Sequence, residues 1–314
     1  MPRYRAFGLL IASDVRLSSL PSVRDGEVDY WFKVVTDRPL PFPQPRWVYK
    51  ISHSDGSHWL CFKKIGSDLL LRFDRFADFH VIQECKEIRC YPDPGTPLKV
   101  VSQLLLDHVL PYLLFGRDQV VLHSSAVVID GMAIAFLGAS GRGKSTLCAS
   151  LVKRGHKLLA DDSVLIRRRD DRAYAVPSYP GIRLWGKSIS ALFSDKPVAD
   201  PIGRNLDKYR LRAKDNKIDF ADGPAPVSRI YLLDDSEPPH EKNDSEILSL
   251  SARGSFNALL GGAYRLDVTD KEKIAEEFNF LSWLSANTRV ARLRFRRQFS
   301  LLPQIHQAIY NDLI

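Results

Sequence analysis

Gly138, Ala139, Ser140, Gly141, Arg142, Gly143, Lys144, Ser145 and Thr146 form an unbroken G-x-x-x-x-G-K-[ST] run, the residue pattern of a loop that wraps phosphate groups. Each residue type is needed where it stands. Glycines at 138, 141 and 143 allow tight turning and close approach, so that several main-chain N–H groups converge on one point. Lys144 is long enough to reach β and γ phosphates, and the Ser145 hydroxyl offers a hard oxygen to Mg²⁺. The apolar run Met132 to Leu137 ahead of the loop reads as a buried strand, and Ser145 to Lys153 behind it as a helix whose N-terminus adds its positive dipole. Strand, glycine turn and helix start together imply a nucleotide site.

Phosphoryl transfer to a hydroxyl also needs a carboxylate that can take a proton and oxygens that can hold a metal. Asp161 and Asp162 follow the apolar strand Lys157 to Ala160, where an acidic pair in an α/β sheet faces the ligand crevice. Neighbours on extended chain point to opposite faces, so the two carboxylates have different jobs. Upstream, Asp130-Gly131 separates the apolar runs His123 to Ile129 and Met132 to Leu137, a hairpin signal. An antiparallel pair there brings His123 to the mouth of the phosphate loop.

The elements that position these groups occupy the second part of the chain. Residues 1 to about 97 show short alternating segments (29–35, 47–51, 59–63 and 69–73) between Gly- and Pro-rich turns, predicting a small β-rich domain. Val100, Leu104, Leu105, His108, Val109 and Leu113 recur at helical spacing and predict a linking helix from Pro97 to Phe115. The division expected is therefore 1–115 and 116–314. Residues 163–169 continue as strand into a turn at Asp170-Asp171. Residues 187–226 are dense in charge, proline and glycine, and read as a long irregular loop able to close over a nucleotide, with Arg183 just ahead of it and Lys208 and Arg210 within it as phosphate or substrate contacts. Beyond it lie a strand at 229–233, a helix at 270–287, a strand at 290–296 and a terminal helix at 300–313. Arg292, Arg294 and Arg296 alternate with apolar residues and read as a solvated strand face, while Tyr179 and Trp185 read as packing residues.

A length of 314 residues with 45% hydrophobic content accommodates two domains, and a net charge of +8 favours anionic partners such as ATP. The basic residues are dispersed and no aromatic platform accompanies them, which argues against nucleic acid. Four cysteines without a C-x-x-C pair argue against zinc and disulfides and fit a reducing cytoplasm. Phe7 to Ala12 is too short for a secretory core and Val109 to Phe115 is interrupted by Pro111, so a soluble, cytoplasmic protein without a membrane partner is expected; a homo-oligomer stays open.

The stretch from 121 to 169, with Leu-His-Ser-Ser-Ala, the loop and Arg-Gly-His-Lys-Leu-Leu-Ala-Asp-Asp, resembles the catalytic domain of the bacterial HPr serine kinase family. His123 stands fifteen residues before Gly138, and Asp161 seventeen after Lys144, as that family requires. The resemblance implies an α/β fold, a P-loop kinase domain of HPr kinase type behind a smaller β-rich N-terminal domain. It implies ATP and Mg²⁺ as cofactors and serine as acceptor, with Lys144 in catalysis, Asp161 as base, His123 holding or tuning it, and Asp162 with Ser145 around Mg²⁺. Thr146 stands where the HPr enzymes usually have glutamate, and their arginine-rich phosphorolysis loop is not recognisable; Arg253, after Leu248-Ser249-Leu250, is the nearest candidate for it. The segment Pro177 to Trp185 and the β-rich N-terminal part are similar instead to a divergent branch that accompanies lasso-peptide biosynthesis and phosphorylates the precursor's C-terminal serine. The partner implied is thus a precursor peptide or small protein with an acceptor serine. The alternatives are HPr or a small hydroxylated metabolite as acceptor, or a protein that senses nucleotide without modifying anything.

Overall fold

Residues 1–36, 47, 49–52, 58–114, 118–202, 205–233, 245–265 and 270–314 are described in the computed structural model. The chain forms two units, Met1–Leu113 with Arg265–Asp270, and Leu114–Tyr264 with Lys271–Ile314. The return of 265–270 to the first unit lies outside what a linear reading suggests.

The first unit is built on β1 (Arg3–Ala6), β2 (Leu9–Ser13), β3 (Ser22–Val23), β4 (Tyr30–Val34), β5 (Tyr49–Ser52), β6 (His58–Ile65), β7 (Asp68–Phe73), β8 (Ala77–Ile82) and β9 (Glu87–Pro92). They make one sheet in the order β3-β1-β2-β4-β9-β8-β7-β6-β5, in which β5 to β9 run as an antiparallel meander and β4 is parallel to both its neighbours. Phe32, Phe62, Phe73 and Phe79 are fully buried in it. The linking helix is interrupted: α1 (Leu98–Leu104) passes through a π turn at Leu105–Val109 into α2 (Leu110–Leu113). Pro111, two residues past the π turn, has no N–H to donate to the preceding turn, and the helical ladder is irregular there. Phe115 and Val48 lie outside the described residues.

In the second unit β10 (Gln119–Leu122), β11 (Ser124–Ile129) and β12 (Met132–Leu137) precede α3 (Lys144–Val152), β13 (Lys157–Ala160), β14 (Val164–Arg169) and β15 (Arg172–Val176). Asp130 and Asp170, with Gly131 and Asp171 after them, all have positive φ, so both hairpins close through two-residue turns whose twist matches the strands. The unit continues with β16 (Gly181–Trp185), α4 (Gly186–Leu192), β17 (Ala199–Ile202), β18 (Asn205–Arg212), β19 (Ala225–Leu232), β20 (Ser245–Ser249), α5 (Ala252–Gly262), α6 (Lys271–Asn287), β21 (Arg289–Phe295) and α7 (Leu302–Leu313). The main sheet runs β10-β14-β15-β19-β12-β11-β13, with β21 parallel to β19 and β20 antiparallel to β21.

The apolar run of β12 is explained by burial on both faces. Ala133, Ala135 and Leu137 face a core with Leu259 of α5 and Phe280, Leu281 and Leu284 of α6. Ile134 and Phe136 face the other core, with Leu147 and Leu151 of α3, Ile305 and Ile309 of α7, and Ile182, Leu184 and Leu211. The architecture is mixed α/β.

Residues 187–226 are a correction to the sequence reading. They hold α4, β17 and β18, and β16-β18-β17 form a separate three-stranded antiparallel sheet. Tyr209 and Leu211 alternate with Lys208, Arg210 and Arg212, a period of two that prolines and charge on either side obscure. A second correction is α5, whose N-cap Ser251 accepts from Gly254 N at 3.1 Å and which places Arg253 in an exposed first turn.

Candidate active site

The phosphate loop is fixed at both ends. Leu233 N donates to Leu137 O at 2.7 Å, and a Cβ on Gly138 (φ 152°) would stand 2.2 Å from Leu233 O, so only glycine lets the loop leave β12 beside the end of β19. Gly143 (φ 94°) is the N-cap of α3, and no side chain caps the helix. Its hydrogen-bond ladder begins with Leu147 N to Gly143 O at 2.8 Å, so the N–H groups of Lys144, Ser145 and Thr146 precede the ladder and carry the positive end of the helix dipole.

Lys144 is 6% exposed, and its Nζ donates to Gly138 O at 2.6 Å and Ala139 O at 2.9 Å. A third contact, at 3.1 Å, is His123 Nε2. An ammonium has only donors, so Nε2 is the unprotonated nitrogen and Nδ1–H donates to Asp162 O at 3.2 Å. Burial, reinforced by the Lys144 and Arg183 cations, pushes the imidazole down to about 3, which keeps His123 neutral. Burial also pushes the Lys144 ammonium down to about 8, against the pull of Asp161.

The two aspartates are placed differently. Asp161, 1% exposed, spends both oxygens inside the protein: Oδ1 accepts from Ser125 Oγ at 2.7 Å and Oδ2 from Arg183 N at 2.8 Å. Asp162 adopts a left-handed backbone (φ 69°), uncommon for a residue with a side chain, and lines the cavity in front of the loop. Its Oδ2 pairs with Arg183 Nη2 and accepts from Tyr264 OH at 3.3 Å. No hydrogen bond from a described residue reaches its Oδ1; His123 Nδ1 lies 3.7 Å away. His123 therefore touches Lys144 and Asp162, whereas Asp161 is held by Ser125 and Arg183.

The cavity, about 480 Å³, is lined by Ser140, Gly141, Gly143 to Leu147, Asp162, Arg183 and Lys208, and on its far side by residues of α4, β21 and α7. Thr146 Oγ1 is engaged with Ser188 Oγ at 2.9 Å. Of the expected basic contacts, Arg183 and Lys208 reach the cavity. Arg210 is buried over the Tyr179 ring, and Arg253 is exposed on α5; neither lines it. Trp185, expected to pack, is a cavity wall beneath Lys208 Nζ. Arg294 of the basic strand is half-buried against Glu246 of β20.

Ser125 and Tyr264 were not anticipated. Ser125 sits inside the Leu-His-Ser-Ser-Ala phrase, on β11 two positions after His123. Tyr264 reaches the site only because its N–H bonds Val121 O at 2.8 Å, a pairing that no local pattern announces. Among the described residues no helix is long and apolar enough to cross a membrane.

Residues 117–180 match the family profile of the HPr Serine kinase C-terminal domain. The chain is similar to the HPr kinase/phosphorylase of Bacillus cytotoxicus, 48% identical over 83 residues, which are 25% of this chain and 27% of that protein. It is likewise similar to the HPr kinase/phosphorylase of Cupriavidus necator, 40% identical over 82 residues and 25% of each chain. That of Caldanaerobacter subterraneus is 48% identical over 50 residues, 16% of each. The chain thus spans about a quarter or less of the length of these relatives. Among solved structures, the Hpr(Ser) kinase/phosphatase from Coxiella burnetii matches with a TM-score of 0.34 and 16% identity, over 61% of this chain and 95% of that one.

Proposed function

We propose that this protein is an ATP- and Mg²⁺-dependent kinase that phosphorylates a serine hydroxyl, the C-terminal serine of a lasso-peptide precursor being the preferred acceptor. The observation that carries the kinase reading is one cavity into which the phosphate loop, Lys144 and Asp162 all open. The residues fit ATP·Mg²⁺. The loop places uncapped helix N–H groups and a lysine where phosphates can replace main-chain carbonyls as its partners, and Ser145 is an oxygen donor of the kind Mg²⁺ prefers. Bound Mg²⁺ would supply charge neutralisation between the phosphates.

Within this reading the role of base passes from Asp161, where the sequence put it, to Asp162. Asp162 faces the cavity and takes the proton of the incoming serine hydroxyl. Asp161, buried and with both oxygens engaged, positions Arg183, whose guanidinium in turn fixes Asp162. Phosphoryl transfer through a loose transition state asks mainly for orientation of the nucleophile, which a carboxylate fixed by Arg183 supplies. His123, neutral, orients Lys144 and the Asp162 main chain.

Lys144 must be charged to hold phosphate, and its ammonium is pushed down to about 8 before phosphate arrives. A phosphate partner favours the charged form and pulls that value back up, so binding above pH 8 takes up a proton. Nucleotide affinity is expected to fall as pH rises through about 8. Calorimetry in buffers of different ionisation enthalpy should show uptake of close to one proton at pH 9 and almost none at pH 7; equal uptake at both would remove Lys144 from the phosphate contacts.

The preference for a peptide end rests on the resemblance of Pro177 to Trp185 and of the N-terminal part to the lasso-associated branch. Arg183 and Lys208 at the cavity suit a terminal carboxylate. A second reading, HPr as acceptor, is favoured by the 40–48% identities to HPr kinase/phosphorylases over 50 to 83 residues. ADP release should be stimulated by a peptide ending in a free serine and weakly by the same peptide amidated. Stimulation by HPr alone would select the second reading, and ATP binding without turnover on any acceptor would leave a nucleotide sensor.

A further inference from the structure

We infer that the apolar wall of the cavity formed by Phe295, Phe299 and Leu302 holds the nucleobase of the bound nucleotide, an inference that rests on the kinase reading above. The placement begins with the sheet. β12, β19 and β21 are mutually parallel, with Leu137 beside Leu232 and Leu232 beside Arg292, so their carboxyl ends open on one edge. In parallel sheets that edge is where ligands bind. β12 ends in the phosphate loop, and β21, two strands away, ends at Phe295.

The two ends of this crevice are joined. The Phe295 Cζ lies 3.9 Å from where a Cβ on Gly143 would stand, and Arg297 Nη1 donates to Gly141 O at 3.5 Å. One cavity therefore runs from polar Gly141, Lys144 and Ser145 to the apolar wall. Its volume, about 480 Å³, lies within the range of small-molecule sites. Phe299 is 39% exposed, and neither it nor Phe295 stacks on another aromatic ring among the described residues. A flat aromatic ligand would cover faces that the protein leaves to water.

The acceptor has a different approach. Asp162 follows β13, which pairs with β11 on the side of β12 away from β19 and β21. A hydroxyl that meets Asp162 thus enters from one side of the loop, and the base, tethered to the phosphates through its ribose, lies on the other.

The test is titration calorimetry with ATP·Mg²⁺ and with inorganic tripolyphosphate·Mg²⁺. For Phe299→Ala, the ATP Kd should rise about tenfold, as loss of one base–aromatic stack implies, while tripolyphosphate binds as to the wild type. Phe299→Tyr should restore ATP binding. An unchanged ATP Kd in Phe299→Ala, equal weakening of both ligands, or a rise confined to the acceptor KM would overturn the placement. Tripolyphosphate binding that Lys144→Ala does not weaken would instead defeat the phosphate-loop reading on which it stands.

Discussion

Replacing Lys144 with alanine should remove ATP·Mg²⁺ binding at millimolar nucleotide and lower turnover at least 10²- to 10³-fold, the scale of losing one preorganised electrostatic contact in a site screened from water. The side chain is buried at the base of the loop, and its three neighbours are two carbonyl oxygens and a neutral imidazole, none of which neutralises it. Holding an ammonium there is unfavourable, as its downward shift records, and phosphate relieves that cost. The variant should therefore fold. Loss of donors to Gly138 O and Ala139 O offsets the gain from removing a desolvated charge, and the thermal midpoint without nucleotide should move by only a few degrees. Thermal-shift measurements with and without ATP·Mg²⁺ read both effects. A full nucleotide-induced shift with normal turnover would exclude this loop as the site.

The second large effect separates the aspartates. Asp162→Asn keeps the shape of a side chain that lines the cavity but cannot take a proton, so serine transfer should fall 10²- to 10⁴-fold while nucleotide Kd changes little. Asp161→Asn acts differently. An amide can keep its oxygen on Arg183 N and donate to the Ser125 hydroxyl, but it removes the negative charge beside the buried Arg183 guanidinium. Loss of that charge, in a side chain 1% exposed, should destabilise the fold by about 1–3 kcal/mol. Denaturant titration together with single-turnover kinetics distinguishes the two. A stable Asp161→Asn that binds ATP and does not transfer, beside an active Asp162→Asn, would return the base to Asp161.

Much of the site could be read from local pattern because its parts are local. The glycine run, the apolar β12 and the Asp130-Gly131 turn are each defined by residues adjacent in the chain, and together they place His123 against Lys144. The adjacent aspartates differ in surroundings as expected, but a left-handed turn at Asp162 and not strand alternation separates them, and which one turns inward depends on Arg183 and Ser125, 22 and 36 positions from Asp161. Tyr264 is 102 residues from Asp162 and reaches it through an edge pairing that leaves no periodic trace. The three-stranded sheet was hidden for a different reason: its strand alternation is carried by arginine and lysine, which a hydrophobic-pattern reading treats as loop. The cavity wall at Phe295 and Phe299 follows from the parallel pairing of β19 with β21, a non-local choice of neighbour.

The most direct measurement uses ATP carrying ¹⁸O in the non-bridging oxygens of its γ-phosphoryl group, incubated with Mg²⁺, the protein and a precursor peptide ending in serine, and followed by fragment-ion mass spectrometry. The expected result is a phosphoserine at the peptide's last residue that retains all the labelled oxygens, formed by the wild type and not by Asp162→Asn. Label found only in inorganic phosphate, with the peptide unmodified and HPr equally untouched, would contradict serine phosphorylation by this site.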